Sequence, residues 1–237
     1  MILTGYYGYY FDPTYWLVII GMVICLLASA NVSATMNKYH RYRNSTGLTG
    51  AECARRILDN EGLYYVQIEC IGADNGDHYD PKTHTVRLSS RNYNGATITA
   101  VSVAAHECGH AIQHAEEYSP MTLRSTLVPV VNIGSTLGVP LIMIGVLLSW
   151  NQTLINIGIW AFGLAVLFQL VTLPVEFNAS TRAVAKIEQN GILDSIENKS
   201  CRKVLRAAAL TYVAALASTV LQVVRLVILF GGNRRRD

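Results

Sequence analysis

Residues 125–175 read STLVPVVNIGSTLGVPLIMIGVLLSWNQTLINIGIWAFGLAVLFQLVTLPV, without one charged side chain. At ~1.5 Å of rise per residue, one helix of this length would be about twice as long as a ~30 Å hydrocarbon core is thick. The run therefore reads as two helices. The polar pentad Ser149, Trp150, Asn151, Gln152 and Thr153 divides it, and a tryptophan among polar residues suits an interfacial turn. The result is a membrane hairpin, Leu127 to Leu148 and Leu154 to Leu173, whose two ends return to one side of the bilayer.

Outward from the hairpin, Tyr15 to Ala30 is almost wholly apolar, and no charge falls between Asp12 and Lys38, which gives a first span. No basic segment precedes it, so it reads as a retained anchor rather than a cleaved signal. Ala207 to Leu229 is weaker: it contains Thr211, Ser218, Thr219, Gln222 and Arg225. It admits two readings, a fourth span or a helix packed on the soluble part. Arg225 likewise reads as a functional intramembrane charge or as a side chain snorkelling near a helix end. Hydrophobic residues make up 51% of the chain and charged ones 15%, outside the ordinary soluble class. The net charge of +3 is modest and its basic residues are interleaved with acids, which argues against nucleic acid as a partner. Five cysteines without paired spacing argue against a disulfide framework and fit a reducing compartment. Nine Lys and Arg residues lie between Lys38 and Arg124 and six between Arg182 and Arg206, whereas Met1 to Thr14 and the Trp150 turn have none. The positive-inside rule places both charged segments in the cytoplasm. The tail Arg234, Arg235, Arg236 conflicts with this if the last segment crosses.

Between the anchor and the hairpin the sequence reads as a small α/β unit. Thr49 caps a helix Gly50 to Asn60 that Gly62 terminates. Tyr64 to Cys70 and Thr85 to Leu88 read as strands, separated by the turn-rich run Gly72 to Gly76 and by Asp77 to Pro81. The strand Thr85 to Ser89 offers an edge for an extended substrate. Helical periodicity then runs from Thr97 to Ala115, with Val101, Ala104, Ala105 and Cys108 on an apolar face.

Inside that helix stands His106-Glu107-Cys108-Gly109-His110. Two histidines four apart share a helix face and can grip one ion, while Glu107, turned by about 100°, can reach a water bound to it. Such a carboxylate takes the water's proton and hands it to a leaving amine. Short matches of this kind also arise by chance. The independent helix assignment strengthens this one, as does Gly109, whose ~1 kcal/mol cost in a helix implies a close approach there. A catalytic zinc needs a third protein ligand. His114 is ~12 Å from His106 along an unbroken helix and rotated by about 80°, so one ion cannot reach both, and a helix-surface or supporting role remains for it. Glu176 is the stronger candidate: it is the first charge after the hairpin returns, and Pro174 before it can open an amphipathic helix Val175 to Gln189. The plain alternative is an ordinary interfacial carboxylate. Ser180 shares a face with Glu176 and can hydrogen-bond a ligand. Arg182 and His78 are candidates for stabilising charge in the transition state or lining the cleft, and a solvated Arg182 or a turn-shaping His78 is the plain reading of each.

The runs His78-Tyr79-Asp80-Pro81, Val86-Arg87-Leu88-Ser89, Ala104-Ala105-His106-Glu107-Cys108-Gly109-His110-Ala111-Ile112-Gln113 and Leu173-Pro174-Val175-Glu176-Phe177-Asn178-Ala179-Ser180 resemble the YugP-like family of bacterial membrane zinc peptidases. The likeness extends over most of the chain, with a more distant similarity to HtpX-like and CAAX-processing membrane proteases. It implies a zinc-dependent peptidase with a zincin-like core. In those relatives an aspartate often follows the downstream glutamate by four residues; Ser180 stands in that place here.

Together these readings describe a mainly α integral membrane protein with three to four transmembrane helices, a small β element and a His-Glu-x-x-His core. Its expected segments are 1–37 (first span), 38–124 (cytoplasmic, with the motif helix), 125–175 (hairpin), 176–206 (cytoplasmic, with the third ligand) and 207–237 (last apolar helix and basic tail). The expected activity is a zinc metalloendopeptidase of the bacterial plasma membrane. One Zn2+ is held by His106, His110 and Glu176, and Glu107 is the catalytic base. It cleaves membrane proteins or peptides at the cytoplasmic face. Two rivals stand beside it, a zinc-dependent hydrolase of a non-peptide substrate and a non-catalytic metal-binding scaffold. Glu107 speaks against the second, since a structural site has no use for a base.

Overall fold

The computed structural model describes residues 12–72 and 76–230, apart from the side chain of Ser135. The central part of the Gly72 to Gly76 run and the tail beyond Phe230 thus lie outside the described residues. The chain is mostly helical, in the order α1 (Tyr15–Tyr39), α2 (Gly50–Asn60), β1 (Gln67–Ile71), β2 (His78–Asp80), β3 (Thr85–Ser89), α3 (Ser90–Tyr93), α4 (Ile98–Ala115), α5 (Ser119–Leu147), α6 (Gln152–Gln189) and α7 (Ser195–Phe230).

Four of these helices, α1, α5, α6 and α7, are long and apolar enough to cross a membrane. They stand as an open row: α5 packs on α6, α6 on α7, and α7 on α1. Lipid tails are as apolar as leucine, so such helices associate where small residues let backbones approach. A Cβ on Gly158 would fall 2.6 Å from the Gly138 carbonyl oxygen, which closes α5 on α6, and one on Gly21 would fall 2.8 Å from Ser218 Oγ, which closes α1 on α7. Large apolar side chains such as Leu27, Leu147 and Trp160 point outward, as they can only in a lipid setting. The turn at Trp150 is where the pentad put it, with Ser149 and Trp150 in the left-handed region and Asn151 capping α6 through Leu154 N–H. At this end the Trp150 ring meets Phe230 at 6.0 Å and Gln152 donates to the Phe230 carbonyl, so α7 ends level with the hairpin turn. Arg225 pairs with Asp12 at 3.5 Å and lies over the Tyr15 ring, an interfacial charge with a partner. The two readings of the last segment merge in one helix. The lower turns of α7 bury Cys201, Val204 and Leu205 in the core shared with α2 and α4, and its upper turns continue along α1 and α6.

Thr49 caps α2 in a reciprocal capping box with Glu52, and Gly62 at φ +72° ends the turn that follows. The three strands order as β1-β3-β2, with β1 parallel and β2 antiparallel to β3. This corrects the expectation that Thr85 to Ser89 receives substrate, because both edges of that strand are already hydrogen-bonded. β2 was read as turn; it is three residues long and exists by pairing His78–Asp80 with Thr85–Arg87. Arg87 ties the sheet together, bonding Glu69 at 3.0 Å and Asp80 at 2.8 Å.

Thr97 caps α4 by accepting from Ala100 N–H. Through Gln113 every residue of the helix except His106 is buried. It lies under the row, against α6 and α7. The new helix expected at Pro174 does not begin there: α6 runs unbroken from Gln152 to Gln189 with Pro174 inside it. Proline removes one backbone donor but does not stop a helix whose neighbours hold it straight. The hairpin's second arm and the helix bearing Glu176 are therefore one rigid rod.

The contact between α4 and α6 is made at Gly109, where a Cβ would lie 2.6 Å from the Ala179 carbonyl oxygen. Gly109→Ala is expected to destabilise the protein by about 1–3 kcal/mol through overpacking, despite the better helix propensity of alanine. Gly163→Ala, where nothing lies within 4 Å, is expected to be neutral or stabilising. Thermal unfolding of both variants in detergent checks this, and equal melting temperatures for the two would contradict it.

Candidate metal centre

α4 carries His106, Glu107 and His110 to the base of α6, which presents Glu176. The donor atoms of His106, His110 and Glu176 lie within 4.8 Å of one another, the spacing of a set that could hold a metal ion. Glu176 Oε2 is 3.3 Å from His106 Nε2 and 3.5 Å from His110 Nε2. Ligands at ~2.0–2.1 Å from a tetrahedral ion stand about 3.3 Å apart. Both carboxylate-to-imidazole separations therefore match edges of a zinc tetrahedron. Glu176 is 2% exposed, and its Oε2 has no hydrogen-bond partner. A buried carboxylate oxygen facing two ring nitrogens suits a cation between them, so the residues fit the metal.

The surrounding hydrogen bonds fix which ring nitrogens face that point. Gln113 Nε2 donates to the Val175 carbonyl and to Asn178 Oδ1, both at 2.9 Å. Gln113 Oε1 must therefore accept, and it lies 3.0 Å from His110 Nδ1. His110 thus carries its proton on Nδ1 and directs an Nε2 lone pair inward. Burial lowers the His110 pKa, but the Glu176 carboxylate overcomes this and raises it. His106 Nδ1 is hydrogen-bonded to Ser180 Oγ at 3.2 Å, which holds the ring with Nε2 toward Glu176. The other oxygen of Glu176 accepts from Arg124 Nη1 at 3.1 Å. Arg124 and Glu176, the two charges that bound the uncharged run, thus form an ion pair across the hairpin's open end.

Other candidates stand elsewhere. Arg182 bonds Glu116 at 2.7 Å and Asn178 at 2.7 Å and lies over the Tyr118 ring. It therefore supports the Asn178–Gln113 relay and does not face the reacting centre. His78 is exposed, with Nδ1 against the Gly76 carbonyl. His114 is a helix-surface residue, bonded to the Tyr79 hydroxyl at 2.9 Å and stacked on His84. Gln113 and Arg124 were missed by the sequence reading, although each had a signal. Gln113 follows His110 by three residues on the same helix, and Arg124 is the last charge before the hairpin.

A cavity of about 600 Å³ opens beside the histidines and is lined by His106, Glu107, Glu176 and Tyr212 at one end. Among the described residues Glu107 makes no hydrogen bond, which leaves its carboxylate available to the cavity. α1 and its C-cap add Ser29, Ser33, Asn37 and His40 to the lining, one polar stripe of the helix. The far end is polar. Asp77 accepts from Ser89 N–H at 2.7 Å and from Asn92 Nδ2 at 2.9 Å. A carboxylate can only accept, so the Asn92 amide is oriented with Oδ1 turned away, and that oxygen is buried without a partner.

Over residues 14–231 the sequence matches the family described as "Putative neutral zinc metallopeptidase". It is 45% identical over 219 residues to "Putative membrane protease YugP" of Bacillus subtilis (strain 168), a match covering 92% of this chain and 97% of that one. No solved structure matches the chain.

His40 closes the cavity's polar end, with Nδ1 3.3 Å from Thr97 Oγ1. Burial, with the charge of Arg91 adding and that of Asp77 opposing, lowers its pKa to about 4. The unfolded chain therefore takes up this proton first, so His40 costs stability as pH falls from about 6.5 toward 4 and nothing above that window. Unfolding measured against pH is expected to show a steeper loss in this window for the wild type than for His40→Gln. Parallel curves would contradict it.

Proposed function

Since the chain belongs to the family described as putative neutral zinc metallopeptidases, we propose that it is a membrane-embedded zinc endopeptidase with His106, His110 and Glu176 holding one zinc ion. The observation that carries this is the partnerless Glu176 Oε2 facing two imidazole nitrogens at 3.3 and 3.5 Å. When bound, zinc acidifies a water and polarises the scissile carbonyl. Glu107 is the general base: it accepts the proton of the attacking water and delivers it to the departing amine, so the proton count closes within one turnover. Tyr212 replaces Arg182 and His78 as the donor to the developing oxyanion, because it lines the cavity together with Glu107 and Glu176.

The cavity's depth supports a membrane-borne substrate. Ser29 is level with Leu210, about 30 Å along α7 from Phe230 and at the inner margin of a ~30 Å hydrocarbon core, and Glu176, about 36 Å along α6 from Gln152, is a turn below it. A peptide segment leaving the bilayer would run past Ser29 and Ser33 to the metal and on toward His40 and Asn92. The excess of Lys and Arg on the charged segments supports a cytoplasmic site.

Zinc content and turnover of a membrane-peptide panel, measured together on purified variants, test the assignment. Glu107→Gln is expected to keep zinc and lose turnover, Glu176→Ala to lose zinc, and Tyr212→Phe to keep zinc with kcat lowered about 10²–10³-fold. Zinc and turnover retained in Glu176→Ala would overturn the ligand set, and hydrolysis of non-peptide esters without cleavage of any peptide would overturn the substrate class.

A further inference from the structure

α1 and α7 lie side by side, and both have a second face turned away from the catalytic cavity. On α1 the cavity stripe centres on Ser29, Ser33 and His40, with Asn37 at its margin, while Asn31, Thr35 and Lys38 stand about 140–180° round the helix from that centre. On α7 about 95–155° separates Leu205, Ala209 and Tyr212 from Lys203, Arg206 and Leu210. A second hollow of about 360 Å³ lies on this outer side of the pair, lined by Lys38, Lys203, Arg206, Asn31, Thr35 and Leu210 among others. Three cations from two helices converge on it, and no acid lines it. Lys38 lies 5.5 Å from the Tyr39 ring centroid, and among the described residues none of the three pairs with a carboxylate.

The height of the hollow identifies its occupant. With Gly21 against Ser218 and Cys25 against Ala214, Lys38 is level with Cys201, about 44 Å along α7 from Phe230, and Lys203 and Arg206 are about 40 and 36 Å from it, just past the inner edge of a ~30 Å hydrocarbon core where headgroups lie. Above Arg206 the wall turns apolar with Ala207 and Leu210. A phosphate with an acyl chain matches both parts, the cations below and the apolar seam above. We propose that this hollow binds the phosphate headgroup of an anionic phospholipid of the inner leaflet, whose chains lie along the seam between α1 and α7. The headgroup bridges Lys38 on one helix to Lys203 and Arg206 on the other, and so clamps the two helices whose other faces line the catalytic cavity.

Native mass spectrometry of the detergent-solubilised full chain, titrated with phosphatidylglycerol or phosphatidylcholine, tests the site without reference to activity. The wild type is expected to retain phosphatidylglycerol in preference. Each of Lys38→Gln, Lys203→Gln and Arg206→Gln is expected to weaken that retention about fivefold while leaving phosphatidylcholine unchanged. Lys82→Gln, on the turn between β2 and β3, is expected to have no effect. Helix content by circular dichroism separates lost binding from lost folding, and the exposed Lys203 and Arg206 singles stand if the triple variant does not fold. Equal retention of the two lipids, or an unchanged preference in the singles, would overturn the proposal. Displacement of the lipid by inorganic phosphate would overturn the lipid source and identify a soluble anion instead.

Discussion

A carboxylate oxygen sealed in protein, with two imidazole nitrogens 3.3 and 3.5 Å away and no hydrogen bond of its own, is the constraint on which the rest of this molecule turns. Desolvating a charged oxygen costs several kcal/mol unless something positive replaces the water. Arg124 serves one oxygen of Glu176 and leaves the other to the two histidines. Every neighbouring interaction is consistent with holding that gap. Gly109 lets α4 approach α6, Gln113 and Ser180 set the imidazole faces, and Asn178 and Arg182 fix Gln113 in turn. A relay of this kind orients ligands before an ion arrives, which is how an outer shell raises metal affinity.

The membrane part works as the ruler for this gap. Two hairpin arms of nearly equal length must begin and end at one level, so Arg124 and Glu176 meet although fifty residues of chain separate them. Because α6 continues through Pro174, the position of Glu176 is coupled to the packing of α5 on α6 along the whole hairpin, glycine against glycine. Displacing one arm by a turn would carry the carboxylate about 5.4 Å along the axis, farther than any ion could bridge.

What could be read in the sequence follows from how local each signal was. The hairpin, the first span, the Thr49 and Thr97 helix starts and the Gly109 approach depend on runs of a few residues and their neighbours, and they stand in the structure. The juxtaposition of Glu176 with the histidines was non-local, yet the uncharged run made it readable by fixing where the chain must return. β2 escaped because three residues form a strand only when a partner is present. The continuation of α6 past Pro174 escaped because it is decided by packing, which outweighs the local preference of proline. Arg182 was placed by its spacing from Glu176, but the sequence could not disclose that Glu116 and Asn178 hold its guanidinium. The polar end of the cavity depends on Asp77 and Asn92 meeting across a strand and a short helix, a contact with no periodic signature.

α1 joins these parts. One of its faces lines the cavity beside His106 and Glu176 and another borders a basic hollow, so the two hollows share a wall. The claim beneath the whole account is the identity of the three ligands. Zinc K-edge X-ray absorption on the purified, zinc-loaded protein tests it most directly. Two imidazoles and a carboxylate predict nitrogen and oxygen scatterers at about 2.0–2.1 Å with outer-shell imidazole features, whereas a sulfur scatterer at about 2.3 Å, from Cys108 or another cysteine, would contradict it.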